Sequence, residues 1–283
     1  MAQKTLDLLN SGIEANQKDK FRNGNVIRLP SNGDLIITGD LHGHRRNFER
    51  IVAFADLPKH PDRHILFQEI IHGGPEDPQG GCLSYKLLFD IIQYKLDFPE
   101  HVHIIMGNHD TAFINNSDVM KDGREMNRAM ISAMQREFAH TSEQIILTTR
   151  QLLFSQPLAL KTENRIWASH SLPAEHYIDK FEPQIFDRPL KVNDTVKPGS
   201  AYLLTWGRHH SQELLNKMAK LFDIDIFVLG HQPQEEGWMQ AGENLLIIAS
   251  EHNHGCLLPI DLTKPCTVAM LIKSIVPLAS ISA

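Results

Sequence analysis

Apolar positions along the chain fall into clusters with two different spacings. Phe48, Ile51, Val52 and Ala55 share one helical face, and Leu87, Leu88, Ile91, Ile92 and Leu96 share another. Met126, Met130 and Met134 recur every four residues, which reads as the core-facing stripe of a helix. Leu214, Leu215, Met218, Leu221 and Phe222 predict one more helix. Between these lie short apolar runs of strand length: Asn25 to Pro30, Leu35 to Thr38, His64 to Phe67, Val102 to Met106, Arg165 to Ala168 and Asp225 to Leu229. The Asn32-Gly33 pair between the first two is a turn signal. Leu245 to Ala249, Cys256 to Asp261 and Thr267 to Ile272 make the end of the chain read as mostly strand. Residues 1–24 are polar and read as a helical and loop extension, and the segments 111–160 and 171–212 read as loops shaping a pocket.

This order, βαβα at first and strands later, predicts an α/β sheet joined by a second, less helical sheet. No Gly/Ser-rich or Pro-rich linker divides residues 25–283, so they read as a single domain. Parallel α/β sheets bind ligands outside the carboxyl ends of their strands. Polar residues just past the apolar runs are therefore where chemistry is to be sought.

Composition narrows the choice. The 283 residues are 42% hydrophobic and 22% charged, as in ordinary soluble domains, which excludes wholesale disorder. The net charge of -6 supplies no global field for nucleic acid or an anionic membrane. No apolar run approaches the ~20 residues of a membrane span, and residues 1–10 lack the apolar core of a signal peptide. Cys82, Cys256 and Cys266 form no CxxC pair or disulfide framework, so a reducing cytoplasm is the expected compartment.

Five strand ends carry ligand-type residues. Leu35 to Thr38 runs into Gly39-Asp40-Leu41-His42-Gly43, and Ile65-Leu66-Phe67 into Gln68-Glu69-Ile70-Ile71-His72-Gly73-Gly74. Val102 to Met106 runs into Gly107-Asn108-His109-Asp110, Ile166-Trp167-Ala168 into Ser169-His170, and Ile226 to Leu229 into Gly230-His231. Each alone is weak, since an Asp-x-His turn is more often a hydrogen-bonded cap than a metal site. Together they form a set of carboxylate, imidazole and amide donors suited to first-row metals such as Mn, Fe or Zn. Two such ions clamp phosphoryl oxygens and generate hydroxide near neutral pH, and an uncoordinated histidine is then suited to protonate the leaving oxygen.

These motifs resemble the calcineurin-like metallophosphoesterase superfamily, most of all its phosphoprotein phosphatase branch. The closing Ile247-Ile248-Ala249-Ser250 and Gly255 to Asp261 segments are similar to that branch too. The resemblance covers roughly residues 30–262 and implies a four-layer α/β/β/α sandwich with two metal ions, Mn first and Fe or Zn as alternatives. It implies that Asp40 and His42 hold one ion, that Asn108, His170 and His231 hold the other, and that Glu69 bridges them. His109, with Asp110 beside it, would be the general acid in an attack by metal-bridging hydroxide. The second motif departs from the family's Gly-Asp-x-x-Asp-Arg-Gly. Glu69 stands for the bridging aspartate, and His72 for the aspartate that orients the catalytic histidine. Gly73 stands for a phosphate-binding arginine. Arg208, after Tyr202 to Trp206, is then the candidate phosphate clamp, with His72 a second substrate-side candidate and Arg45 and Arg46 competitors. The implied activity is hydrolysis of phosphomonoesters, phosphoproteins among them. A dinucleoside polyphosphate or nucleotide hydrolase and a catalytically weak metal- or phosphate-binding regulatory protein are the alternatives.

Overall fold

A computed structural model describes residues 2–121 and 123–282, with Lys121 by its backbone alone. The alternation of side chains along its strands explains its layers. In the strand Asp34–Asp40, Leu35 and Ile37 join one apolar core while Ile36 between them joins another. Ile226–Leu229 and Leu245–Ile248 alternate in the same way between the two cores. A strand buried on both faces must lie between two packed layers. The smaller core is thus the space between two sheets, and the larger one the space between the sheets and their helices.

The strands are β1 (Arg22–Asn23), β2 (Val26–Leu29), β3 (Asp34–Asp40), β4 (Arg63–Gln68), β5 (Val102–Ile105), β6 (Met120–Lys121) and β7 (Arg124–Glu125). They continue as β8 (Ala159–Thr162), β9 (Ile166–Ser169), β10 (Ile226–Leu229), β11 (Trp238–Ala241), β12 (Leu245–Ile248), β13 (Cys256–Asp261) and β14 (Val276–Pro277). One sheet has the order β1-β2-β8-β9-β10-β12-β11, the other β14-β13-β3-β4-β5, and β6 and β7 form a separate hairpin. β3, β4 and β5 run parallel, as do β9, β10 and β12, so their carboxyl ends gather on one side. A bridge between Asp40 and Ala249 joins the two sheets there. The result is the expected four-layer α/β/β/α sandwich.

The helices are α1 (Ala2–Gln17), α2 (Arg45–Ala55), α3 (Ser84–Asp97), α4 (Asn108–Ile114), α5 (Met126–Phe138), α6 (Ser142–Phe154), α7 (Ser200–Trp206), α8 (Gln212–Phe222) and α9 (Val268–Ser274). α2 lays Phe48 on Phe67 of β4, with ring centroids 5.9 Å apart. On the other sheet, Phe222 of α8 stacks on Trp167 of β9 at 4.3 Å. The stripe Met126, Met130 and Met134 is buried as its spacing predicts. α1 buries Leu6 and Leu9 and packs on α3 and α6, with Gly12 giving way to Ile92.

Two sequence expectations are corrected. Much of 111–160 is helix, in α4, α5 and α6, because its apolar positions recur at helical rather than irregular spacing. The run Thr267 to Ile272 is the helix α9, whose start the Thr267 hydroxyl caps by accepting from Met270 N; short apolar runs do not distinguish strand from helix by themselves. The expected Asn32-Gly33 turn is present, with Gly33 at φ 70°, and it joins strands of different sheets.

Candidate metal centre

All five predicted strand ends converge. Asp40 ends β3 and accepts a hydrogen bond from His231 N after β10 at 2.9 Å. His42 lies two residues beyond, its Nε2 3.6 Å from Asp40 Oδ2, and its Nδ1 is 3.0 Å from Ile71 O. Glu69 follows β4, is wholly buried, and accepts from His109 N at 3.1 Å through Oε2. Asn108 opens α4, and its Oδ1 lies 2.8 Å from His170 Nε2 and 3.0 Å from His231 Nδ1. Asp110 accepts from Gly107 N at 2.9 Å, closing the first turn of that helix around His109. Ring centroids of His42 and His109 are 5.0 Å apart.

The backbone is held in uncommon conformations at this site. His42, Glu69, His72 and His231 have φ of 43°, 43°, 67° and 67°. Non-glycine residues rarely adopt such values, and those that do concentrate where function fixes the chain. Two glycines make room for the carboxylates. A Cβ on Gly107 would stand 2.3 Å from Glu69 Oε2, and one on Gly230 would stand 2.5 Å from Asp40 Oδ1. The added methylene of Glu69 is thus accommodated over a position with no side chain.

A hydrogen-bond argument tests whether these residues suit a cation. Gln68 Nε2 donates to Thr38 O at 2.8 Å, so its Oε1 is the atom facing His170 Nδ1 at 3.0 Å. An acceptor there requires Nδ1–H on His170, which leaves Nε2 with its lone pair. That lone pair faces Glu69 Oε2 at 3.2 Å, with the Asn108 amide 2.8 Å away. Two acceptors directed at each other repel unless a positive charge lies between them. Glu69 Oε1 and His231 Nε2 are also buried with no hydrogen-bond partner among the described residues. His42 and Glu69 offer ligand atoms within 4.8 Å of each other, with a His109 ring nitrogen inside the same distance. The donor set therefore fits metal ions.

Electrostatics agree. Burial raises the Glu69 carboxyl well above its ordinary value, with Asp110 and Asp40 adding to the effect. Burial likewise pushes Asp110 up to about 7. Buried carboxylates this close need a compensating cation to remain ionised. Burial holds His170 well below its usual range, and holds His231 down at about 3 with help from Arg208. Neutral imidazoles are the ligand form.

The substrate-side candidates are distributed differently. Arg208 is exposed beyond α7, and its charge bears on both His170 and His231. Trp206 anchors that segment by donating from Nε1 to Thr111 Oγ1 at 2.9 Å. Arg45 pairs with Asp90 of α3, and Arg46 is exposed at the start of α2. His72 is fully buried, with its ring centroid 5.0 Å from that of His109. Gly73 has φ 146° and packs on the first motif, where a Cβ would stand 2.5 Å from His42 O. This close approach excludes an arginine side chain at that position. Gln68, which orients His170, and Asn127, which contacts His72 through its side chain, escaped the sequence reading, because nothing local marks them out.

The family model for calcineurin-like phosphoesterases matches residues 34–253. The chain belongs to this family. A serine/threonine-protein phosphatase of Caenorhabditis elegans is 24% identical over 232 residues, which are 77% of this chain and 47% of that protein. The chain thus spans about half the length of this relative. Among solved structures, a protein serine/threonine phosphatase from Saccharomyces cerevisiae with similarity to human phosphatase PP5 superposes with a TM-score of 0.67 at 13% identity. That superposition covers 99% of this chain and 93% of the other. A cold-active protein-tyrosine phosphatase of a Shewanella species gives 0.56 at 15% identity, over 88% and 80% of the two chains. These likenesses establish the shared fold of a hydrolase family. No helix among the described residues is long and apolar enough to cross a membrane.

Proposed function

We propose that this phosphoesterase hydrolyses phosphate monoesters, phosphoproteins among them, in the cytoplasm, with residues 25–283 as its catalytic domain. The observation that supports this reading is the set of carboxylate, imidazole and amide groups converging from five strand ends around Glu69. Asp40 and His42 would hold one ion and Asn108, His170 and His231 the other, with Glu69 between them. Mn is our first choice and Fe or Zn the alternatives; bound there, the ions would supply Lewis-acid stabilisation of phosphoryl oxygens and activation of water.

The chain's own residues do the rest. His109 donates a proton to the leaving-group oxygen, a role that requires it outside the ion sites. Asp110 fixes the turn that presents it, through Gly107 N. Arg208 supplies charge for phosphate oxygens, since Gly73 cannot.

The test uses protein stripped with a chelator, reloaded with Mn, and assayed on an aryl phosphate, phosphopeptides and a dinucleoside polyphosphate. Activity should vanish and return, and His109→Asn should lower turnover by ~10²–10⁴-fold with both ions retained. Activity that survives verified metal removal sinks the reading. Loss of an ion in His109→Asn makes that histidine a ligand instead. A loaded protein inactive on every ester would favour the regulatory alternative.

A further inference from the structure

The geometry points to Asn127 as a positioning residue that sets the hydrogen-bonding state of His72, and through it the orientation of His109. This inference rests on the reading of His109 as the general acid. The resemblance places an aspartate at the position of His72, where a carboxylate can accept a hydrogen bond in any state of its surroundings. A neutral histidine accepts through one nitrogen only, and only when the other carries the proton. Replacing aspartate by histidine therefore preserves the role only if something fixes the tautomer.

Asn127 does this. It lies in the first turn of α5, is buried, and bonds through Oδ1 to His72 Nε2. Its amide orientation is itself determined, because Nδ2 donates to the carbonyl of Ser117. The reversed amide would set two oxygens against each other there. Oδ1 thus faces the ring, so a neutral His72 carries its hydrogen on Nε2 and leaves Nδ1 as the acceptor nitrogen. The Asn127 backbone is pinned by donation to Asp118 Oδ1 at 2.9 Å. The His72 backbone is pinned by donation to Ser84 Oγ at 2.9 Å, at φ 67°. Both ends of the contact are therefore fixed, and the His72 ring lies with its centroid 5.0 Å from that of His109. Asn127 reaches this place because the segment containing the β6–β7 hairpin returns the chain to the motif that carries His72.

Zinc-loaded protein with ¹⁵N-labelled histidine tests the tautomer directly. The His72 signals, assigned by their loss in His72→Gln, should report Nε2–H in the unmodified chain. An Nδ1–H or mixed state overturns the proposal without any Asn127 variant having to fold. Asn127→Ala should give a mixed tautomer. In kinetics, Asn127→Ala with full metal content should lower kcat on an alkyl phosphate by about 2- to 13-fold, the equivalent of one neutral hydrogen bond at about 0.5–1.5 kcal/mol. KM should hold, and the loss on a nitrophenyl ester should be smaller because its leaving group needs little protonation. A silent Asn127→Ala beside an impaired His109→Asn overturns the positioning role alone. A silent His109→Asn on both esters overturns the general-acid reading and this inference with it.

Discussion

Glu69 shows how a single residue and its neighbours answer one another. Its carboxylate is fully buried, is approached by His170 Nε2 at 3.2 Å, and lies over Gly107 where any side chain would collide with it. If it is the shared ligand, Glu69→Ala loses at least one ion by elemental analysis, whereas Glu69→Asp keeps measurable activity because a carboxylate remains. Two bound ions and normal turnover in the alanine variant would exclude Glu69 as the bridge. Arg208 is the second residue on which the reaction depends in our reading. Removing one partner of a charged hydrogen bond costs on the order of 1.5–3 kcal/mol. Arg208→Ala is therefore expected to lower kcat/KM by roughly 10–150-fold with metals intact. Lysine should recover only part, because it lacks the planar fork. Arg45 already pairs with Asp90. A silent Arg208→Ala beside a severe Arg46→Ala would move the clamp to the start of α2.

At the scale of elements, the segment after α1 is tied to the sheet by a buried ionic cluster. Asp19 Oδ2 lies 2.9 Å from His103 Nδ1 of β5 and 3.2 Å from Lys95 Nζ of α3, and Lys95 also donates to Val102 O at 2.7 Å. His64 of β4 completes the group, 3.2 Å from His103. Burial opposes the Asp19 charge, but His103 and Lys95 outweigh it and hold the carboxyl at about 2. Its folded pKa lies below the unfolded value of ~3.9. The stability it contributes, ~2.5 kcal/mol, is thus present above about pH 4 and lost as the pH falls towards 2. Asp19→Asn leaves the Lys95 ammonium buried without a counter-charge and should cost ~3–5 kcal/mol at neutral pH, read by urea unfolding. That difference should narrow below pH 4. The cluster sits at the amino ends of β4 and β5, and the metal centre lies beyond their carboxyl ends. Turnover of the folded variant should therefore match the parent, and a large fall in kcat would reveal a coupling between the two ends of the sheet.

For the whole molecule, our reading of the candidate metal centre couples catalysis to stability. The two sheets meet at the Asp40–Ala249 bridge, and the candidate ligands come from both sheets. An ion that binds only the folded state stabilises it by ~2.7 kcal/mol at a hundredfold excess over its Kd. Raising Mn over the chelated protein should raise Tm progressively, in step with recovered activity. A Tm indifferent to Mn, with activity still restored, would mean that the ligands bind without bracing the two sheets.

The sequence alone determined most of the alternation of helices and strands, the buried stripes and the five strand ends that carry the candidate ligands. These are local matters of period and of residue type after an apolar run. It could not determine that β2 and β3 belong to different sheets, since a turn signal records a change of direction and not the partner beyond it. It misread Thr267 to Ile272, because six residues fit either period and the Thr267 cap decided the outcome. At the site, Gly73 looked like a missing arginine; only the packed chain shows that the His42 carbonyl occupies the space a side chain would need. Gln68 and Asn127 were illegible for a related reason. Each acts by fixing which nitrogen of a histidine carries a proton, and a hydrogen-bond direction is settled by groups 102 and 55 residues away in sequence, brought into contact only by the fold.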